Sequence, residues 1–206
     1  IRTILVPERN PGDQKTAAAL TVLAEMLGGS AQTSVLAREL MLTGKALFID
    51  AGYDGLSVDP TTFNIALMPA PGLSNAEAEA ALDAALEKFR NDGPDPAQLE
   101  RVKTQVRAAE VYKQDSAHGR AYDYGQGLSI GLGIEDVNDW PDILAAVTPE
   151  DIRAAAELVL DSRADVTGWL LPAATPAITP AAAPAMTPAG DAPAASTDPA
   201  NPGESQ

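Results

Sequence analysis

Residues 46–69, with the sequence ALFIDAGYDGLSVDPTTFNIALMP, indicate the fold class most directly. Leu47, Ile49, Ala51 and Tyr53 occupy every second position of the first segment. The same two-residue period returns from 63 to 67. This period is typical of half-buried strands. The loop at 54–60 is too short for a helical crossover, so the two strands are expected to pair antiparallel.

Helical patterns flank this strand pair on both sides. A strand ending at Val6 comes first, followed by a helix that Asp13 can cap and that ends at Gly28-Gly29. A second helix fits residues 33–42. After the strand pair, Ser74-x-x-Glu77 is a capping box that opens a third helix.

More helices follow before a closing strand. Asp95-Pro96 and Thr148-Pro149 are helix starts, and residues 118–132 and 134–144 are helical in pattern, the second segment being interrupted by Pro141. The segment with Val166, Gly168 and Leu170 is expected to be the last strand. This order predicts an α+β fold, a mostly antiparallel sheet covered by helices on one face.

The composition changes after residue 171, which divides the chain into a folded domain, 1–171, and a tail, 172–206. Five prolines recur at every fourth position from Pro172 to Pro188, and the tail has no Phe, Tyr, Trp, Leu or Val. Such a segment cannot bury enough apolar surface to fold, so we expect a disordered Ala/Pro/Thr-rich spacer.

The overall composition excludes several classes of function. The 206 residues carry a net charge of -15, which disfavours binding to nucleic acid or to an anionic membrane surface. There is no cysteine and only one histidine, His118, whereas a zinc enzyme normally needs two or three such ligands. No apolar run is long enough for a membrane span. Because the first residue is Ile1, we expect a piece of a longer protein or a processed form.

Two glycine-containing motifs resemble catalytic or nucleotide-binding sequences. Residues 127–131 match G-x-S-x-G with Ser129 at its centre, but a nucleophile elbow follows a buried strand and the preceding residues look helical. Gly125, Gly127, Gly131 and Gly133 approach a dinucleotide fingerprint, but the spacing is one residue too long. Close helix packing explains these glycines more simply, and a solvated or capping position explains His118.

Taken in order, the segments resemble the C-terminal half of an insulinase/pitrilysin-type zinc metallopeptidase of the shorter bacterial type. The resemblance covers residues 2–172 and rests on Val6-Pro7, residues 20–29, 34–36, 46–55, 63–65 and 91–103, Tyr112, Asp115-Ser116, Gly131, Glu135-Asp136, Trp140-Pro141, residues 146–151 and 166–172. In that family the catalytic H-x-x-E-H helix belongs to the N-terminal half. This chain contains no such motif.

The resemblance therefore implies a half without catalytic or metal-binding residues, with zinc carried by a partner half. It implies a wall of a chamber that takes in unfolded peptides, and a periplasmic or exported location. Residues 60–72 lack the arginine and tyrosine with which larger relatives hold substrate. A related mitochondrial processing subunit has a glycine-rich loop near the position of Gly28, Gly29 and Ser30, which makes these three residues substrate-chamber candidates. A helix end explains the same glycines. The alternative is a stand-alone inactive homologue that acts as a structural or assembly subunit.

Overall fold

A four-stranded antiparallel sheet forms the centre of the fold. The computed structural model describes residues 1–161 and 163–171, apart from the side chain of Gln114, and the predicted tail lies outside these residues. The sheet has the strand order β2-β3-β1-β4, and every neighbouring pair is antiparallel. The strands are β1 (Arg2–Val6), β2 (Ala46–Tyr53), β3 (Thr61–Pro69) and β4 (Asp165–Thr167).

Seven helices accompany the sheet in the described residues. They are α1 (Lys15–Gly28), α2 (Asn75–Asp92), α3 (Pro96–Gln114), α4 (Ala117–Ser129), α5 (Ile134–Asn138), α6 (Trp140–Ala145) and α7 (Pro149–Leu160). A short π-helical turn at Ala37–Met41 precedes β2. The predicted α+β class is confirmed.

The two faces of the sheet differ in burial. Ile4, Ile49, Phe63 and Ile65 point to the inner face, where they are buried in one core with the apolar side of α1 and parts of α2, α3 and α7. The other face, here called the outer sheet face, carries Leu5, Phe48, Met68 and Val166, which are 50%, 50%, 54% and 72% exposed. Helices therefore cover one face, as the sequence predicts.

Three predicted helix starts are confirmed by their hydrogen bonds. Ser74 and Thr148 each open a capping box, in which the hydroxyl accepts from the backbone of the third helical residue and that residue's carboxylate accepts in return. The Asp95 carboxylate accepts from the backbone nitrogen of Ala97 at 3.1 Å. These short polar side chains satisfy backbone N–H groups that a helix leaves without partners at its first turn.

Several local predictions need correction. Leu47 is 55% exposed rather than inward, because a bulge between Ala46 and Phe48 inserts one extra residue opposite β3. The helix at 33–42 is largely a π-helical turn. The interruption of the segment 134–144 falls at Asp139, between α5 and α6, rather than at Pro141. Residues 168 and 170 lie beyond β4.

A further correction concerns the start of α1. Gln14 occupies the capping position without a side-chain cap, while Asp13 accepts only from the backbone nitrogen of Lys15, at 3.3 Å. The side chain of Gln14 is instead bound to Arg9 and Asp136, so a tertiary contact replaces the local cap.

Candidate functional site

Gly28, Gly29 and Ser30 lie together at the end of α1. Gly28 is buried, and a Cβ atom placed on it would stand 2.7 Å from Cβ of Ala51 in β2 and nearer still to the Ala51 nitrogen. Gly29 has φ -64°, so it does not adopt the left-handed conformation that glycine often takes after a helix. Close approach between helix and strand therefore explains the glycine at 28.

Ser30 organises the turn that follows. Its hydroxyl oxygen accepts from the backbone nitrogen of Thr33 at 3.2 Å and from the Thr33 hydroxyl at 2.9 Å. Its carbonyl oxygen accepts from the Ser34 hydroxyl at 2.5 Å. All these bonds are local, and the role of the three residues in a substrate chamber stays a prediction.

Ser129 does not occupy a nucleophile elbow. It is the last residue of α4, it is exposed, and its hydroxyl donates to the Gln126 carbonyl at 2.7 Å. His118 lies at the other end of the same helix, about 16 Å away along the helix axis at 1.5 Å per residue. The geometry therefore brings no histidine to Ser129.

The glycines near residue 127 serve helix packing. A Cβ atom on Gly127 would stand 2.7 Å from Cγ2 of Val137 in α5, and Gly131 adopts a positive φ of 96° in the turn between α4 and α5. No strand leads into this segment, which begins at Gly125 inside the C-terminal half of α4. The dinucleotide motif therefore has no structural support.

The described residues do not form a zinc site. No group of three or more His, Asp or Glu residues among them is close enough together to hold a metal ion. The single histidine is exposed on α4. The donor groups of these described residues therefore do not fit a bound zinc ion.

A buried arginine forms the most unusual polar cluster of the described residues. Arg9 follows β1 and is 7% exposed. Its guanidinium lies 3.9 Å from the centroid of the Trp140 ring, Nη2 donates to the carbonyl of Asp136 at 2.7 Å, and Nε donates to the Gln14 side chain. Burial lowers the pKa of Arg9 to about 10, and the charge of Asp136 partly opposes this shift.

Asp136 joins the loop before α1 to the start of α5. Its carboxylate accepts from the backbone nitrogens of Gly133 at 2.8 Å and Gly12 at 3.0 Å, and from Gln14 Nε2 at 3.2 Å. The two backbone hydrogen bonds lower the pKa of Asp136. Sequence reasoning missed Arg9 and Gln14, because no local pattern marks residues whose partners lie more than 120 positions away.

Two of the cavities among the described residues are relevant to binding. The first, here called the Arg9 cavity, has a volume of about 230 Å³, and its lining includes Arg9, Tyr53, Asp54, Asp123 and Trp140. The second is an apolar groove of about 550 Å³ between β3, the start of α2 and the residues after β4. Trp169 and Leu170, which line this groove, are 59% and 96% exposed.

The family is established by a match over residues 3–106 to the model of the peptidase M16 inactive domain. The chain belongs to this family. Among curated protein sequences none matches the chain. The family description names this domain of M16 peptidases as inactive.

Solved structures share the fold at low sequence identity. The inactive peptidase domain of a candidate zinc protease from Bordetella parapertussis is 18% identical, with a TM-score of 0.75, over 87% of this chain and 93% of that one. A Helicobacter pylori protease is 18% identical, with a TM-score of 0.70, over 80% of this chain and 38% of that one. The periplasmic protease PqqL of Escherichia coli is 16% identical, with a TM-score of 0.59, over 78% and 17%. This M16 domain therefore spans less than half of the Helicobacter pylori protease and less than half of PqqL.

Two further features are the hydrophobicity of the helices and the exposed apolar side chains. Within residues 1–161 and 163–171, no helix combines the length and the hydrophobicity that a membrane span needs. The outer sheet face and the apolar groove expose several large apolar side chains, among them Phe48, Met68 and Trp169.

Proposed function

We propose that this chain is the non-catalytic C-terminal half of a zinc metalloendopeptidase, and that its outer sheet face forms one wall of a peptide-binding chamber opposite a zinc-bearing half. The family match supports a role without catalysis. The fold covers 38% of the Helicobacter pylori protease, so the rest of that protein is long enough to contain a second half.

The outer sheet face carries this proposal. Phe48 and Met68 are cross-strand partners on it, Leu5 and Val166 lie on the neighbouring strands, and all four are at least half exposed. Large exposed apolar side chains gathered on one sheet face favour a binding surface over a solvated one. Thr3, Thr62 and Asn64 lie between these apolar residues, so the face also offers polar groups to an extended peptide.

The proposed mechanism is geometric. A wall that confines an extended peptide lowers the entropy lost when the scissile bond meets the zinc of the opposite half. In this proposal zinc and every group that acts on the peptide bond belong to the partner. The periplasmic location of PqqL supports an exported location for this protein as well.

The test needs the zinc-bearing partner. The gene is first read for an H-x-x-E-H segment in the same or a neighbouring reading frame, and that half is produced with and without this chain. We expect cleavage of an unstructured peptide only when both are present. Failure of any zinc-bearing half to bind this chain would contradict the proposal and favour the structural-subunit alternative.

A surface variant then tests the wall itself. Phe48→Asp places a charge on the outer sheet face and should raise KM several-fold without separating the halves. Val58→Asp is the matched control, because Val58 is 69% exposed in the loop between β2 and β3. An unchanged KM for Phe48→Asp, or dissociation of the halves, would show that this face is not the chamber wall.

A further inference from the structure

We propose that the Arg9 cavity binds a single carboxylate group, with the guanidinium of Arg9 as its charged anchor. This inference concerns a site away from the outer sheet face and does not depend on the proposed chamber.

The first observation is that Arg9 forms no direct ion pair among the described residues, although Asp136, Glu110 and Asp123 interact with its charge at longer range. Among the described residues, no carboxylate oxygen lies within ion-pair distance of its guanidinium, although the side chain is 7% exposed. A guanidinium remains protonated at neutral pH even with its lowered pKa of about 10. Buried charges in proteins are normally paired, so this arginine has capacity for an anion.

The second observation concerns the free donor of the guanidinium. Nε and Nη2 donate to Gln14 and to the Asp136 carbonyl, whereas Nη1 has no hydrogen-bond partner in the described part of the chain. No fully enclosed side-chain nitrogen or oxygen in that part lacks a partner. Nη1 must therefore reach accessible space, and the open space that Arg9 lines is the cavity. Arginine N–H groups bind carboxylates strongly and directionally.

The walls restrict which anion can enter. Trp140, Leu56 and Val137 supply apolar surface beside Arg9. Glu110 and Lys113 line the cavity as well and form an ion pair with each other at 2.6 Å. Asp54 and Asp123 complete its charged lining, and neither forms an ion pair within the described residues. These two negative charges disfavour a dianion such as phosphate, so we infer a monocarboxylate with a small apolar body. A peptide offers that group at its C-terminus or on an Asp or Glu side chain.

The experiment uses the whole chain labelled with ¹⁵N. The signals of Arg9 Nε–H and Trp140 Nε1–H report on the cavity, and Trp169→Phe assigns the tryptophan signal. N-acetylleucine and N-acetylleucinamide are titrated into the protein in separate experiments. The amide has nearly the same size and shape as the acid but carries no charge. N-acetylglutamic acid with its α-carboxyl amidated represents the side-chain source.

We expect saturable shifts of both signals with at least one of the acids and at least about tenfold weaker binding of the leucinamide, as loss of a charge-assisted hydrogen bond predicts. The acid that binds more tightly identifies the source. Equal binding of acid and amide, no binding of either acid at millimolar concentration, or shifts confined to other parts of the chain would each overturn the proposal.

A variant pair provides the protein-side control. Arg9→Lys keeps the positive charge but loses the planar fork, and it should weaken binding of the acid about tenfold. Arg107→Lys changes an exposed arginine whose nearest carboxylate is that of Asp142, at 3.6 Å, and should leave binding unchanged. Equal affinity in both variants would contradict the role of Arg9. If Arg9→Lys does not fold, the comparison of acid with amide on the native chain decides alone.

Discussion

Gly28 at the end of α1 and Ala51 in the middle of β2 are in such close contact that no side chain fits between them. A Cβ atom on Gly28 would stand 2.7 Å from the Ala51 Cβ and would overlap the Ala51 backbone. The contact joins the central helix to the edge strand β2, which has β3 as its only neighbour in the sheet order. This relationship makes position 28 a sensitive probe of the fold.

Gly28→Ala should lower the free energy of unfolding by about 2–3 kcal/mol, because the added methyl group meets backbone rather than a flexible side chain. Urea denaturation followed by circular dichroism measures the change. Gly125→Ala is the matched control: it lies inside α4 with nothing within 4 Å of the added methyl, so it should stabilise the chain by up to about 1 kcal/mol. Equal effects of the two substitutions would contradict the close contact.

Thr148→Ala should lower the free energy of unfolding by about 1 kcal/mol, because the capping box of α7 loses the hydroxyl that accepts from the Asp151 nitrogen at 3.2 Å. Thr148→Ser retains that oxygen and should remain near the native value. Chemical denaturation of the three proteins at pH 7 checks the order. A Thr148→Ser variant as unstable as Thr148→Ala would assign the loss to the methyl group instead.

These caps also show how far the sequence could predict the fold. Ser74, Asp95 and Thr148 are recognisable because their partners lie within three residues, and the alternation in β3 reports burial on a single face. Local chemistry therefore predicts the helix starts, the antiparallel strand pair and the α+β class.

Features that depend on distant partners were not predictable in the same way. The bulge at Leu47 depends on how β2 matches β3, and the environment of Arg9 depends on α5 and α6, more than 120 residues away. The sequence alone predicts a helix end at the glycine pair 28–29. It does not show that position 28 must be glycine, because that requirement comes from the close contact with Ala51 in β2. Exposure of the outer sheet face likewise follows from which side the helices cover.

Acid should destabilise this chain through Asp136 and Asp151. Hydrogen bonds from the backbone of Gly133 and Gly12 lower the pKa of Asp136 in the folded state. Partial burial acts to raise the pKa of Asp151, but hydrogen bonds from Lys15 and Thr148 outweigh it and the pKa is lowered. A carboxyl whose folded pKa is depressed stabilises the fold above its unfolded pKa of about 4, and this contribution is lost as pH falls through the folded value.

The free energy of unfolding should therefore decrease below pH 4, and Asp151→Asn should flatten that decrease while lowering stability at pH 7. Urea titrations at pH 7, 4 and 3 measure both quantities. Asp59→Asn, an exposed loop substitution, should follow the native curve at each pH. An Asp151→Asn variant with the native pH dependence would remove Asp151 from the explanation.

The isolated chain should neither bind zinc stoichiometrically nor cut unstructured peptides, because its described residues bring no three metal-ligating side chains together and its one histidine is exposed. Metal analysis after dialysis against zinc, and incubation with casein in the presence and absence of a chelator, measure the two properties. Ser129→Ala tests the remaining motif and should leave any background esterase signal unchanged, since its hydroxyl is bound to the Gln126 carbonyl. Cleavage that a chelator abolishes, in preparations free of contaminating proteases, would contradict the non-catalytic assignment.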